Sequence, residues 1–175
     1  LKMNQIIKEN NIDTLKDPET VYMLKGTVAL AYLKKGQYAG FYKYIKQLKS
    51  LFNQTSYMNM GTSMLVKDSI DPKMAVTLGK ETIDLYNSYK DDPKAKPADM
   101  SEADWNRFMD FAKYPYYDAY AQALYANKDY KEALKYQKMA FNDDAENGIS
   151  SAVERYAQLL ALNGQQLAAY DLLLK

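Results

Sequence analysis

The sequence predicts an all-α protein built of helical hairpins, and three observations carry that prediction. Tyr120-Ala121-Gln122-Ala123-Leu124 returns 36 residues later as Tyr156-Ala157-Gln158-Leu159-Leu160. The same offset sets Asn127 on Asn163 and Ala133 on Ala169. Self-similarity at roughly 34 to 40 residues, with small residues at fixed places, marks stacked helix pairs. Apolar residues recur at helical spacing, as in Tyr130, Ala133, Leu134, Ala140 and Phe141. No segment sustains the period-two alternation of a half-buried strand.

Taken from the N-terminus, Leu1-Lys2-Met3-Asn4 leads into polar sequence without the apolar run of a secretory signal. Asp17-Pro18 sets an N-cap acceptor before a proline, which suits the first turn of a helix. Val28-Ala29, Tyr32, Gly36 and Tyr38 then read as helix and turn of a divergent hairpin, with Phe41 where a small residue is expected. In the next hairpin Tyr57 to Val66 forms one helix and Asp71-Pro72 opens its partner. That partner carries Ala75, Gly79 and Thr82 as a small-residue face. Residues 91–100 hold two prolines and almost no apolar content, so they form a loop between adjacent hairpins. The loop separates the divergent hairpins of residues 1–90 from two regular ones over 101–175. Ser101-x-x-Asp104 and Ser151-x-x-Glu154 are capping boxes, the first with Asp for the usual Glu. Gly36-Gln37 and Asn163-Gly164 mark turns. Four hairpins result, more than the three or so that a stack needs for stability.

Composition narrows the chemistry. A chain of 175 residues makes one ordinary domain. Its 23 basic and 22 acidic side chains nearly cancel, leaving no strong field to gather phosphates. Cysteine and histidine are both absent. Thiol nucleophiles, Cys/His zinc sites, Ser-His-Asp triads and dithiol redox centres are therefore excluded within this chain. Carboxylate, Tyr and Lys groups remain as acid–base candidates. No apolar stretch is long enough to span a membrane. The chain starts without Met and ends at Lys175 inside an apolar helical run, which reads as a mature or excised portion. No cofactor or metal is expected.

The two regular hairpins follow the tetratricopeptide pattern. The first supplies Tyr117, Tyr120-Ala121, Leu124, Ala133 and Ala140, the second Val153, Tyr156-Ala157, Leu160, Ala169 and Leu173. Small alanines let antiparallel helices approach while the large residues fill the gaps. Gln137 stands where a bulky apolar residue is expected, and Ala145 where the pattern ends in Pro. The expected fold is thus an α-solenoid of about four tetratricopeptide-like hairpins, the first two divergent.

Over residues 98–175 a more specific likeness emerges. It lies in Met100-Ser101-Glu102-Ala103-Asp104-Trp105, in Tyr114-Pro115-Tyr116-Tyr117-Asp118-Ala119-Tyr120-Ala121, and in Asp129-Tyr130-Lys131-Glu132-Ala133-Leu134-Lys135-Tyr136. Ala152-Val153-Glu154-Arg155-Tyr156-Ala157 before Asn163-Gly164 adds to it. These strings resemble the helical region attached to exported bacterial thioredoxin-like thiol–disulfide oxidoreductases. The resemblance implies a non-catalytic segment preceding a thioredoxin-fold domain with a Cys-x-x-Cys centre, in the periplasm or cell envelope. With no cysteine here, none of that family's redox residues has a counterpart. The implied partner is that domain on the same polypeptide; the alternative is a stand-alone adaptor that binds a partner peptide.

Tyrosine is the outlying residue, with 17 copies. The patch Tyr114, Tyr116, Tyr117, Tyr120 and Tyr125 offers an aromatic groove for an extended peptide, against the simpler use of Tyr117 and Tyr120 in packing. Tyr116 and Tyr125 fall off the packing positions, so they head the groove candidates, followed by Asp118, Gln122, Glu154 and Gln158. One Arg155 among Asp118 and Glu154 makes a poor anion clamp. An enzyme using Asp118 and Glu154 is a distant third reading, without a distinctive spacing to support it. Asp143-Asp144-Ala145-Glu146-Asn147 lacks the alternating ligands and glycine of a calcium loop and reads as a solvated turn. Asn53-Gln54-Thr55 fits a glycosylation acceptor. Lys34-Lys35, Lys43, Lys46 and Lys49, interleaved with Tyr38, Tyr42 and Tyr44, read as a solvated stripe rather than a nucleic-acid surface. Trp105 is expected to be a packing anchor.

Overall fold

Three of the helix starts coincide with capping side chains, at Ser50, Asp71 and Ser101. In the computed structural model, which describes residues 3–9, 18–97, 100–141 and 150–174, Asp71 accepts the Met74 N–H at 3.0 Å ahead of Pro72. Ser101 accepts the Asp104 N–H at 3.1 Å and donates its hydroxyl to the Asp104 carboxylate at 2.7 Å. Ser50, not anticipated, caps a further helix by accepting the Asn53 N–H at 3.4 Å. Asp17 lies outside the described residues. Ser151 falls inside the first turn of its helix rather than ahead of it, and its side chain is outside the described residues.

Nine helices form among the described residues: α1 (Met3–Glu9), α2 (Pro18–Lys34), α3 (Tyr38–Ile45), α4 (Leu51–Lys67), α5 (Pro72–Tyr89), α6 (Glu102–Ala126), α7 (Tyr130–Ala140), α8 (Ser150–Leu162) and α9 (Gln166–Leu173). A 3-10 turn over Pro93–Ala95 lies in the connector between α5 and α6. The helices pack as sequential pairs, α2 on α3, α4 on α5, α6 on α7 and α8 on α9. Each pair leans on the next through α3–α4, α5–α6 and α7–α8, and the first helices also meet as α2–α4 and α4–α6.

One turn geometry joins all four pairs. Gly36, Ser69, Lys128 and Gly164 each adopt a left-handed φ, at 69°, 54°, 69° and 79°. The next residue's N–H reaches back five positions, in Gln37 to Tyr32, Ile70 to Leu65, Asp129 to Leu124 and Gln165 to Leu160. A second bond spans three positions, from Gly36 to Leu33, Ser69 to Val66, Lys128 to Tyr125 and Gly164 to Ala161. This is the Schellman motif, which satisfies the last carbonyls of the first helix and reverses the chain. Ser69 and Lys128 adopt the conformation despite a Cβ that disfavours it.

Small residues set the helix spacing, as expected for Ala75, Gly79 and Thr82, all buried on α5. A Cβ on Gly79 would stand 2.8 Å from Tyr120 Cδ2 and 3.3 Å from Tyr120 Cα, so α5 and α6 touch nearly backbone to backbone. In the first pair Phe41 is fully buried, and the close approach moves one residue to Gly40, whose missing Cβ is where the Tyr32 ring sits. Two connected cores result. One joins Ala29, Leu33, Phe41, Ile45, Leu65 and Leu78 across α2 to α5. The other joins Tyr86, Tyr89, Trp105, Met109, Tyr116 and Leu124, bridging the connector between α5 and α6.

The first regular hairpin is longer than its pattern. Helix α6 runs for 25 residues and continues through Pro115, which lacks the N–H that Phe111 would otherwise accept. The stretch ahead of Tyr117, about four turns, persists because Trp105, Met109 and Ala112 are buried against α5 and Phe52. Trp105 is the anchor expected, with the Phe52 ring edge-on at 6.3 Å. Burial of each such side chain contributes about 1.5–3 kcal/mol. The Tyr86 hydroxyl donates to the Met109 carbonyl at 2.9 Å, tying α5 to the same stretch.

The remaining motifs take structural roles. Lys34 pairs with Asp68 at 2.7 Å, while Tyr38 and Tyr42 donate to Asp71 and Glu81 at 2.6 Å each. Tyr44 stacks on Tyr32, so the aromatic rings among those lysines are already engaged. Thr55 of the glycosylation motif is buried in α4 with its hydroxyl on the Leu51 carbonyl. The acidic run Asp143 to Asn147 lies outside the described residues. No helix among the described residues is long and apolar enough to cross a membrane.

Candidate functional site

Side chains three or four residues apart on a helix share a face. That rule groups Asp118, Gln122 and Tyr125 on α6, and Glu154 and Gln158 on α8. In the folded protein the two groups come together. Gln122, Tyr125 and Ala126 of α6, Glu154, Arg155 and Gln158 of α8, and Val66 of α4 line an open hollow of about 310 Å³. It lies where first helices of three successive pairs converge.

A polar network fixes one wall. Asp118 accepts Gln122 Nε2 at 2.6 Å and Gln137 Nε2 at 2.9 Å. It also accepts Arg155 Nη2, at 3.2 Å on one oxygen and 3.4 Å on the other. Arg155 Nε donates to Gln137 Oε1 at 3.2 Å, which closes a ring across α6, α7 and α8. Gln137 is 1% exposed, so its amide depends on these partners. The Arg155 and Asp118 side chains are only 22% and 28% exposed, so the pair is partly shielded from solvent. Gln137 thus departs from the repeat pattern for a reason: it links one hairpin to the next. Because Arg155 is held by Asp118 and Gln137, its guanidinium is oriented rather than free to clamp an anion.

The structure divides the sequence-derived candidates. Gln122, Tyr125, Glu154 and Gln158 line the hollow, and Asp118 braces it from the network. Tyr116 does not belong to it. Its side chain is 5% exposed in the core, edge-on to Tyr86 at 5.4 Å, and burial pushes its hydroxyl pKa upward. The correction has a simple cause: α6 begins well before the repeat pattern does, so its N-terminal half packs on α5 and takes Tyr116 with it. Tyr125 is 37% exposed beside Tyr130. Arg155, Gln137 and Val66 were not among the groove candidates. Gln137 carried a signal as a polar residue in an apolar place, and Arg155 was weighed only as an anion clamp; Val66 carried none.

No group of acidic side chains among the described residues is placed to hold a metal ion. Comparison with protein-family models, with curated proteins and with solved structures gives no match.

Proposed function

We propose that this chain is a non-catalytic helical interaction module of tetratricopeptide type, and that the hollow between α4, α6 and α8 receives an extended segment of a partner protein. The observation that carries the reading is the oriented polar wall. Gln122 and Gln158 present primary amides able to pair with a peptide's backbone, and the Asp118–Gln137–Arg155 ring holds the helices bearing them in register. Tyr125 offers a half-exposed ring for a side chain. Four pairs sharing one turn geometry support the repeat character.

Selection from a displayed library of short random peptides tests this. Enriched peptides should bind the wild-type protein and lose about tenfold or more in affinity, some 1.4 kcal/mol, with Gln122→Ala/Gln158→Ala or Tyr125→Ala. Tyr125→Ala should leave stability within about 0.5 kcal/mol, as for a surface substitution. Tyr116→Ala, by contrast, should cost about 3–5 kcal/mol, as for other buried aromatic truncations. Peptides that bind these variants as well as wild type, or no enrichment at all, would reject the hollow as the site.

A second reading follows from α9, where Leu167, Tyr170 and Leu173 are exposed on a short helix and Leu174 just beyond it. Such a face suits packing against a further domain, and the resemblance over residues 98–175 makes a thioredoxin-fold domain of the same polypeptide, in the cell envelope, the candidate. Intact mass of the polypeptide isolated from its source cell decides this. A product longer by a thioredoxin-sized domain supports it, and a product of this chain's own length removes it.

A further inference from the structure

Helix α7 carries Lys131, Lys135 and Lys138 at i, i+4 and i+7, hence on one side. These three side chains rim a second hollow, of about 630 Å³, between α7 and α8. Its floor is apolar: Leu134 and Leu160 lie recessed, while Met139 is 44% exposed at the edge. No carboxylate lines it among the described residues. Lys135 shares its charge with Glu132 at 3.3 Å, an exposed pair of the kind that contributes little. Lys131 and Lys138 form no ion pair among the described residues. The whole chain carries a net charge of only +1, so this concentration of cations is local.

We propose that this outer groove is a second binding site, which takes an acidic segment of a partner protein anchored by one large apolar side chain. The shape selects that occupant. The apolar floor is sunk below the ammonium groups, so an inserted side chain meets Leu134 and Leu160 while carboxylates on either side of it meet the lysines. A flat lipid surface meets the lysines without reaching Leu160, which is buried. The groove is also separate from the hollow between α4, α6 and α8. Tyr156 and Leu160 each sit two residues from Glu154 and Gln158, about 200° around α8, and so face the other way.

The test uses a fluorescent peptide of Asp and Glu residues with a single central Phe, its Phe→Ala control, and vesicles of phosphatidylglycerol. The Phe peptide should bind the full chain, weaken as salt is raised, and shift the Met139 methyl resonance. Lys131→Glu/Lys138→Glu and the Phe→Ala control should each lower affinity about tenfold or more. Gln122→Ala/Gln158→Ala should leave binding of this peptide unchanged. Equal binding of the Phe→Ala control, indifference to the lysine substitutions, or an unmoved Met139 methyl would overturn the proposal. So would vesicle binding that depends on the same lysines while the peptide fails to bind.

Discussion

Raised from pH 10 to 12, the protein is expected to lose its helical circular-dichroism signal in one cooperative step. The cause is the number of tyrosine hydroxyls buried in the core. Burial pushes Tyr86 and Tyr120 up to about 12 and drives Tyr89 higher still, while Tyr116 is shifted the same way. In the unfolded chain each ionises near the ordinary value of about 10. Below pH 10 both states keep their protons, so stability does not change there. Above it the unfolded chain releases protons that the folded chain retains. Stability then falls by up to about 1.4 kcal/mol per pH unit for each group. Between pH 10 and about 12, Tyr86 and Tyr120 each remove up to about 2.7 kcal/mol, so these two together with Tyr89 take away much of a stability of about 5–15 kcal/mol. Ultraviolet absorbance of tyrosinate, followed beside the helical signal, should show exposed tyrosines ionising first and buried ones only as the helices melt. Tyr120→Phe should move the midpoint to higher pH by removing one of the groups, an effect that general charge repulsion would not produce. Ionisation of all the tyrosines near pH 10 with the helices intact would sink the explanation.

Replacing Gly79 by alanine is expected to destabilise the protein, against the usual sign of the change. In a helix interior alanine is favoured over glycine by about 1 kcal/mol. At Gly79 the new methyl would meet Tyr120 Cδ2 at 2.8 Å, and Thr62 Cγ2 and Tyr120 Cα at 3.3 Å each. The Tyr120 ring cannot swing aside freely, since Tyr136 stands edge-on to it at 4.6 Å. Relief therefore requires α5 to move away from both α4 and α6, and overpacking of this kind costs about 1–3 kcal/mol. Set against the propensity gain, the net loss is up to about 2 kcal/mol, and at about 2–4 °C per kcal/mol for a chain of this size thermal melting should fall by up to about 8 °C. A rise in melting temperature would show that α5 and α6 can part without loss, contrary to the close approach described.

How much could be read in advance is clearest at the turns. Two of the four, at Gly36 and Gly164, were legible because glycine advertises a left-handed φ. The other two use Ser69 and Lys128, whose identities carry no such signal, although Lys128 lies one repeat offset before Gly164. The start of α6 was legible as well, since Ser101-x-x-Asp104 marks its cap, but its unbroken course was not: Pro115 suggests a break, yet the helix runs through it from Glu102 to Ala126. Packing of Trp105, Met109 and Ala112 on α5 outweighs the lost hydrogen bond. That extension is also why Tyr116 is a core residue and not part of the groove.

The lining of the hollow between α4, α6 and α8 was legible in part. Helical spacing placed Gln122 with Tyr125 and Glu154 with Gln158, because side-chain direction along one helix follows from its period alone. Which helices would converge did not follow, and neither did the role of Gln137. A buried glutamine in an apolar place looks like a defect until Asp118 and Arg155 are found on either side of it.

The sequence by itself determined the helical class, the succession of helix pairs and the caps at Asp71 and Ser101, since these depend on spacing and on residues close along the chain. Tertiary structure alone decided the continuity of α6 through Pro115, the burial of Tyr116, the near contact of α5 with α6 at Gly79, and the ring of Asp118, Gln137 and Arg155. Those features join residues tens of positions apart. Their energies come from contacts that exist only once the hairpins have packed, so no local pattern encodes them.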